Sequence, residues 1–140
     1  MRSNRLVPTF LLLLLAASSA CRAATAPDPL VGTWLATSFH VTPGTQTQKD
    51  VLAAGGSFGV NVATNFVTAG TVILPPSVTG STASTISLAG TAAETGTTVQ
   101  FAPNVDSFVR NLVFTLVENR LEARNQVVGG TTYDVVLTRQ

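Results

Sequence analysis

Few side chains in this sequence can do chemistry, and their number limits what they could do together. The 140 residues include one histidine, His40, and one cysteine, Cys21. A metal site built from His and Cys needs three or four such ligands, so one chain cannot supply it. Ser/His/Asp catalysis would have to recruit His40, and no nucleophile-elbow pattern accompanies it. Gly55-Gly56 precedes a strand-like stretch and lacks the lysine of a phosphate loop. Lysine and arginine are not clustered, which argues against nucleic-acid binding. The expectation is therefore a protein that is not an enzyme and uses no metal or cofactor. Binding chemistry remains. His40, Arg110 and Tyr133 offer an imidazole, a guanidinium and a phenol that could orient the polar head of a small ligand. The competing reading makes them rim residues with packed stems and solvated tips. Phe58, Phe114 and Val135, with Val60, Val62, Phe101 and Leu116, would line an apolar interior, or simply form its core. Trp34 is the only tryptophan. With Arg139 it could make a cation–π contact of about 0.5–2 kcal/mol. Removing a core tryptophan costs more, about 3–5 kcal/mol, so both residues are assigned to closing the fold.

These residues need strands to position them. From Leu30 onward short β-rich runs alternate with turn signals. Eight strands are predicted, over 32–42, 57–64, 66–74, 84–91, 97–102, 110–117, 120–127 and 132–139. Residues 47–54, T-Q-K-D-V-L-A-A, are the one helix-like stretch, ended by Gly55-Gly56. Alternation assigns faces. Trp34, Ala36, Ser38 and His40 share one face of the first strand. Arg110, Leu112, Phe114 and Leu116 line up, as do Tyr133, Val135, Leu137 and Arg139. In R-L-E-A-R-N-Q-V, Arg120, Glu122, Arg124 and Gln126 should face water, and Leu121, Ala123, Asn125 and Val127 the interior. Eight antiparallel strands leave exposed edges unless the sheet closes. An up-and-down barrel solves this, with an interior filled by side chains or holding one small ligand; a two-sheet sandwich is the rival.

The head of the chain is a different kind of segment. Arg2 and Arg5 precede an apolar run from Leu6 to Ala17, and Ser18, Ser19 and Ala20 are small. Residues 1–20 read as a secretory signal peptide, and the run is short for a membrane span. Cys21 follows directly and resembles the lipidated first residue of bacterial lipoproteins, although Ser18 stands where that motif usually has leucine. Ordinary cleavage after Ala20, leaving a free thiol, is the alternative. Arg22 does not resemble the aspartate that retains some lipoproteins in the inner membrane. The expectation is an exported protein of the bacterial envelope, an outer-membrane lipoprotein facing the periplasm or the surface, with the membrane as partner through Cys21. Residues 21–29 form a proline-bearing tether and 30–140 the folded domain. Removing residues 1–20 takes two of the 8 basic residues and none of the 7 acidic ones, which turns the formal charge from +1 to −1.

The two ends of the folded part carry a resemblance. L-V-G-T-W opens the first strand and T-Y-D-V-V-L-T-R-Q closes the last. Together with K-D-V-L-A-A-G-G-S-F-G-V-N-V, they resemble the small bacterial lipocalin-like domains of the calycin superfamily, over roughly 30–62 and 110–140. The resemblance implies an all-β, eight-stranded antiparallel up-and-down barrel with one short helix after the first strand. It also implies a small hydrophobic ligand inside. The Arg–Tyr combination is similar to the carboxylate anchors of fatty-acid-binding relatives. The folded part is shorter than a full lipocalin. A filled barrel acting as a structural or protein-interaction module through the 75–84 and 103–109 connections is therefore kept beside it. In a closed meander the last strand lies beside the first. Trp34 opposite Arg139 then puts His40 opposite Tyr133, both inward. A three-residue turn over Gly129-Gly130-Thr131 would pair Val127 with Tyr133 and Ala123 with Leu137.

Overall fold

The structure, a computed structural model, describes residues 26–140. The expected signal peptide and Cys21 lie outside the described residues. Ten strands follow one another: β1 (Gly32–Pro43), β2 (Lys49–Asp50), β3 (Ser57–Val62), β4 (Val67–Leu74), β5 (Ser84–Ser87), β6 (Gly90–Thr95), β7 (Thr98–Pro103), β8 (Val113–Val117), β9 (Arg120–Val128) and β10 (Thr131–Arg139). Each long strand pairs antiparallel with the next, and β10 returns to pair with β1. The result is a closed eight-stranded antiparallel barrel, as expected. β2 is a short addition beside β1, and β5 pairs only with β4. Closure satisfies the backbone groups that an open sheet would leave at its margins.

The interior is apolar. Trp34, Phe39, Phe58, Phe101 and Phe114 are all buried, with Leu30, Leu88, Leu112, Leu121 and Leu137 around them. Each such side chain contributes about 1.5–3 kcal/mol by leaving water. Gly70 stands where the wall leaves no room for a side chain: its φ is +145°, and a Cβ there would overlap the Gly59 carbonyl oxygen.

The expected helix over 47–54 is not formed. Lys49 and Asp50 pair with Val41 and His40 as β2, and Val51 donates its N–H to the Phe39 carbonyl while its side chain is buried. A single turn remains after Asp50, whose carboxylate accepts the Ala53 N–H at 3.0 Å. Nucleating so short a helix is unfavourable, and burial of Val51 beside β1 outweighs local propensity. The helical turns lie elsewhere. Pro76–Thr79 forms one turn, stopped by Gly80 in the left-handed region, and Phe108–Asn111 forms a 3-10 turn. Arg110 therefore sits on that turn rather than at the start of a strand, and β8 begins only at Val113. The strand expected over 84–91 is interrupted at Leu88-Ala89, where β5 gives way to β6.

Two β-bulges change the registers. Trp34 lies opposite Arg139 and Ala36 opposite Leu137, as expected, but Ser38 then faces Val136, leaving Thr37 without a partner. The extra residue reverses the inward set. Phe39 and Val41 turn in, and Ser38 and His40 turn out. His40 accordingly lies opposite Asp134, and Tyr133 opposite Val41. The β9–β10 hairpin turns on two residues, Gly129 and Gly130 (φ 56° and 77°), so Val128 meets Thr131. Two left-handed glycines suit the tightest hairpin turn, whose twist matches that of the strands. Tyr133 then faces Gln126, and Val127 points to solvent, 68% exposed. A second bulge, with Asn125 at φ 49°, restores the inward face, so Ala123 meets Val135 and Leu121 meets Leu137.

Candidate functional site

The two ends of the barrel are built differently. At one pole the segment before β1 folds across the opening. Leu30 is buried, and the Trp34 indole Nε1–H donates to the Leu30 carbonyl at 2.8 Å. Arg139 lies against Gly32, and its Nη1 donates to the Pro29 carbonyl at 3.4 Å. Glu94, also at this pole, has its pKa raised, first by desolvation and then by the neighbouring Asp28 carboxylate and a hydrogen bond with it.

At the opposite pole aromatic rings fill the opening. The Phe108 ring lies parallel to that of Tyr133, with centroids 4.3 Å apart and 6° between planes. Phe108 also meets Phe39 at 6.5 Å. From Phe39 the contacts continue inward edge-on to Phe58 (5.9 Å), Phe114 (6.2 Å) and Phe101 (5.4 Å). Edge-to-face pairs add about 0.5–1.5 kcal/mol beyond their buried area. Burial raises the Tyr133 phenol pKa, partly offset by a hydrogen bond with Thr131. Beside this plug the Ser107 Oγ is buried without a hydrogen-bond partner. Among the described residues no cavity of ligand size is found.

The three polar residues expected at this mouth share the pole but not one pocket. Tyr133 points inward, under Phe108. Arg110 is exposed; its Nη2 donates to the Pro103 carbonyl at 2.6 Å, and its Nη1 lies 3.6 Å from Asp106 Oδ1. The guanidinium thus pins the loop that carries Phe108. His40 stands on the outer wall, where Nδ1 lies 3.2 Å from Ser38 Oγ and Nε2 3.7 Å from Asp50 Oδ2. A serine, a histidine and a carboxylate meet here, yet Ser38 lies within the β1 strand, with its main chain paired in the ladder rather than offered to an oxyanion. Asp50 is 47% exposed, so water screens the pair. The outer row continues across β10 and β9: Asp134 accepts from Arg124 Nη1 at 2.7 Å, and Arg124 also reaches Glu122. The hydrogen bond to Asp134 is the main cause raising the Arg124 pKa.

The expected lining residues Phe58, Phe114 and Val135 are buried in the interior. Phe39 and Phe108 were not in that set. Phe39 carried a weak signal: in W-L-A-T-S-F-H-V, Trp34 and Ala36 have one parity and Phe39 and Val41 the other, but Leu35, apolar and exposed, blurs the odd step that an inserted residue produces. Phe108 sits in a connection, where periodicity gives no guide. Among the described residues, no group of three His, Cys, Asp or Glu side chains is placed to hold a metal ion.

No protein-family model, curated protein or solved structure matches the chain.

Proposed function

We propose that this is an exported, envelope-tethered β-barrel with a packed interior, a non-catalytic structural or protein-interaction module that works through its outer surface. The observation that carries the reading is the unbroken run of aromatic contacts from Phe101 through Phe114, Phe58 and Phe39 to Phe108 on Tyr133. Rings in contact along the interior support a core filled by its own side chains at native packing density. A small hydrophobic ligand would first have to displace Phe108 from Tyr133. Native mass spectrometry of chain purified from its host, before and after solvent extraction, tests the reading. The expected result is one mass, unchanged by extraction. An apolar adduct lost on extraction would overturn the packed-core reading in favour of a small-ligand carrier.

The tether is a separate proposal, supported by the leader and the position of Cys21. Lipid at Cys21 predicts that Cys21→Ser moves the protein from the membrane to the soluble fraction. An unchanged fractionation would refute the anchor and leave the barrel reading untouched.

A further inference from the structure

We infer that the outer edge of β5 is a self-pairing site, at which a second copy of this chain adds its own β5 antiparallel. The inference rests on the reading of the domain as an interaction module.

β5 has one neighbour in the sheet. The direction of its backbone groups follows from the pairing. The Leu88 N–H donates to the Gly70 carbonyl on β4 at 2.9 Å, so the alternation 88, 86, 84 turns its N–H and C=O groups toward β4. Thr85 and Ser87 turn theirs the other way. Ala89 continues that outward set, and its carbonyl accepts the Asn104 N–H at 2.8 Å. Beyond Asn104 the chain leaves the edge; Val105 is 53% exposed. Among the described residues no backbone group pairs with the outward N–H and C=O of Thr85 and Ser87. Both residues are exposed.

Proteins blunt such an edge with a charge, a proline or a very short strand. This one has only its shortness, four residues, and neither charge nor proline. No Asp, Glu, Lys or Arg occurs from Val51 to Ala93, so β5 and the strands behind it are uncharged through β3, β4 and most of β6; on the segment beyond Asn104, Asp106 and Arg110 lie 3.6 Å apart and offset each other. That neutrality points to a second copy as the occupant, because two identical neutral walls meet without like-charge repulsion and without stripping water from ions. The strand is also self-complementary in facing. With Ile86 opposite Ile86 of the second copy, Thr85 falls opposite Ser87 and exchanges both main-chain hydrogen bonds with it. The symmetry axis repeats the exchange. Outward Thr85 and Ser87 then share one face, and Ile86 keeps to the interior side of both sheets. A strand this short buries far less than the roughly 1,000 Å² of a stable interface, so the pairing is weak in dilute solution and favoured by crowding on a surface.

Sedimentation equilibrium of the purified chain from about 10 µM to about 1 mM, a span suited to small interfaces, tests the pairing. Amide exchange is read alongside it. The expected result is a weight-average mass that rises toward double, with exchange at Thr85 and Ser87 slowing as it does. Thr85→Pro removes one outward N–H and should hold the mass at the monomer value. Thr85→Lys places like charges across the axis and should do the same at low salt, which keeps the test open if the proline variant does not fold. A wild-type mass constant to about 1 mM, or variants that dimerise like wild type, would overturn the inference. So would a monomeric chain that takes a foreign strand on this edge. A ligand-free monomer overturns self-pairing alone, whereas an extractable apolar mass overturns the packed-core reading on which it rests.

Discussion

Deleting Thr37 removes the one residue between Trp34 and Pro43 that has no partner on β10. The ladder can close without it. Ala36 keeps Leu137, Ser38 keeps Val136, and the order of faces becomes a plain alternation, with Phe39 and Val41 still inward. The direct loss is the exposed Thr37–Thr138 hydroxyl contact at 3.0 Å, a hydrogen bond worth about 0.5–1.5 kcal/mol. Deleting Gln100 is the counterpart. β7 runs in unbroken register with β6 and β8 on either side of Gln100, so one missing residue turns Phe101 outward. That forfeits about 1.5–3 kcal/mol of side-chain burial and about 0.5–1.5 kcal/mol from the pair with Phe114, before any ladder bonds are counted. The Gln100 deletion should therefore be the less stable of the two, by about 0.5–4 kcal/mol before its lost ladder bonds widen the gap. Urea unfolding followed by the fluorescence of buried Trp34 reads this directly. With a slope of about 1–3 kcal/mol/M, a loss of about 1 kcal/mol moves the midpoint by less than about 1 M. Equal losses in the two deletions, or a Thr37 deletion that fails to fold, would refute the assignment of Thr37 as the inserted residue.

Other perturbations address single features. Gly70→Ala forces a Cβ toward the Gly59 carbonyl at a φ that L side chains rarely adopt; a loss above about 2 kcal/mol is expected in the same assay, and a neutral result would show that the β3–β4 contact can open. Asn125→Gly should be near neutral, while Asn125→Val should cost about 1–2 kcal/mol, because φ is positive there and branched side chains resist the left-handed region. Burial raises the Tyr133 pKa in the folded chain, so the unfolded chain loses that proton first. The stability held below the ordinary tyrosine pKa of about 10 should then drain away as pH rises through the folded-state value. Tyr133→Phe should flatten the alkaline fall in urea midpoint, and an identical slope in the variant would count against burial of the phenol.

The barrel was legible because its ends and its outward charges agree. Period-two alternation in β9 and β10 placed Arg120, Glu122 and Arg124 in water and Tyr133, Val135 and Leu137 inside, and pairing Trp34 with Arg139 closed the sheet. What misled was one inserted residue in each of two strands. A side-chain period of two means that a single insertion reverses every assignment beyond it, which carried His40 from the interior to the wall and Val127 from the core to solvent. The helix over 47–54 failed for a different reason: its propensity was too weak to resist pairing with β1. The plug was beyond pattern reading, since Phe108 lies in a connection and owes its burial to the open end of a barrel formed by distant strands.

The folding of the N-terminal segment across the Trp34 pole also decides which way the molecule can face. Pro29 and Thr33 meet Arg139 and Gln140 there, with the Gln140 N–H on the Thr33 carbonyl at 3.0 Å. Both ends of the described chain thus leave from one pole, while Phe108 and the start of β5 lie toward the other. Any stalk, tag or carrier fused at either end holds the barrel from beneath and leaves the far hemisphere unobstructed. A short linker between the two ends would also give a closed ring that could be reopened at the Gly129-Gly130 turn, a circularly permuted barrel with its termini moved to the opposite pole.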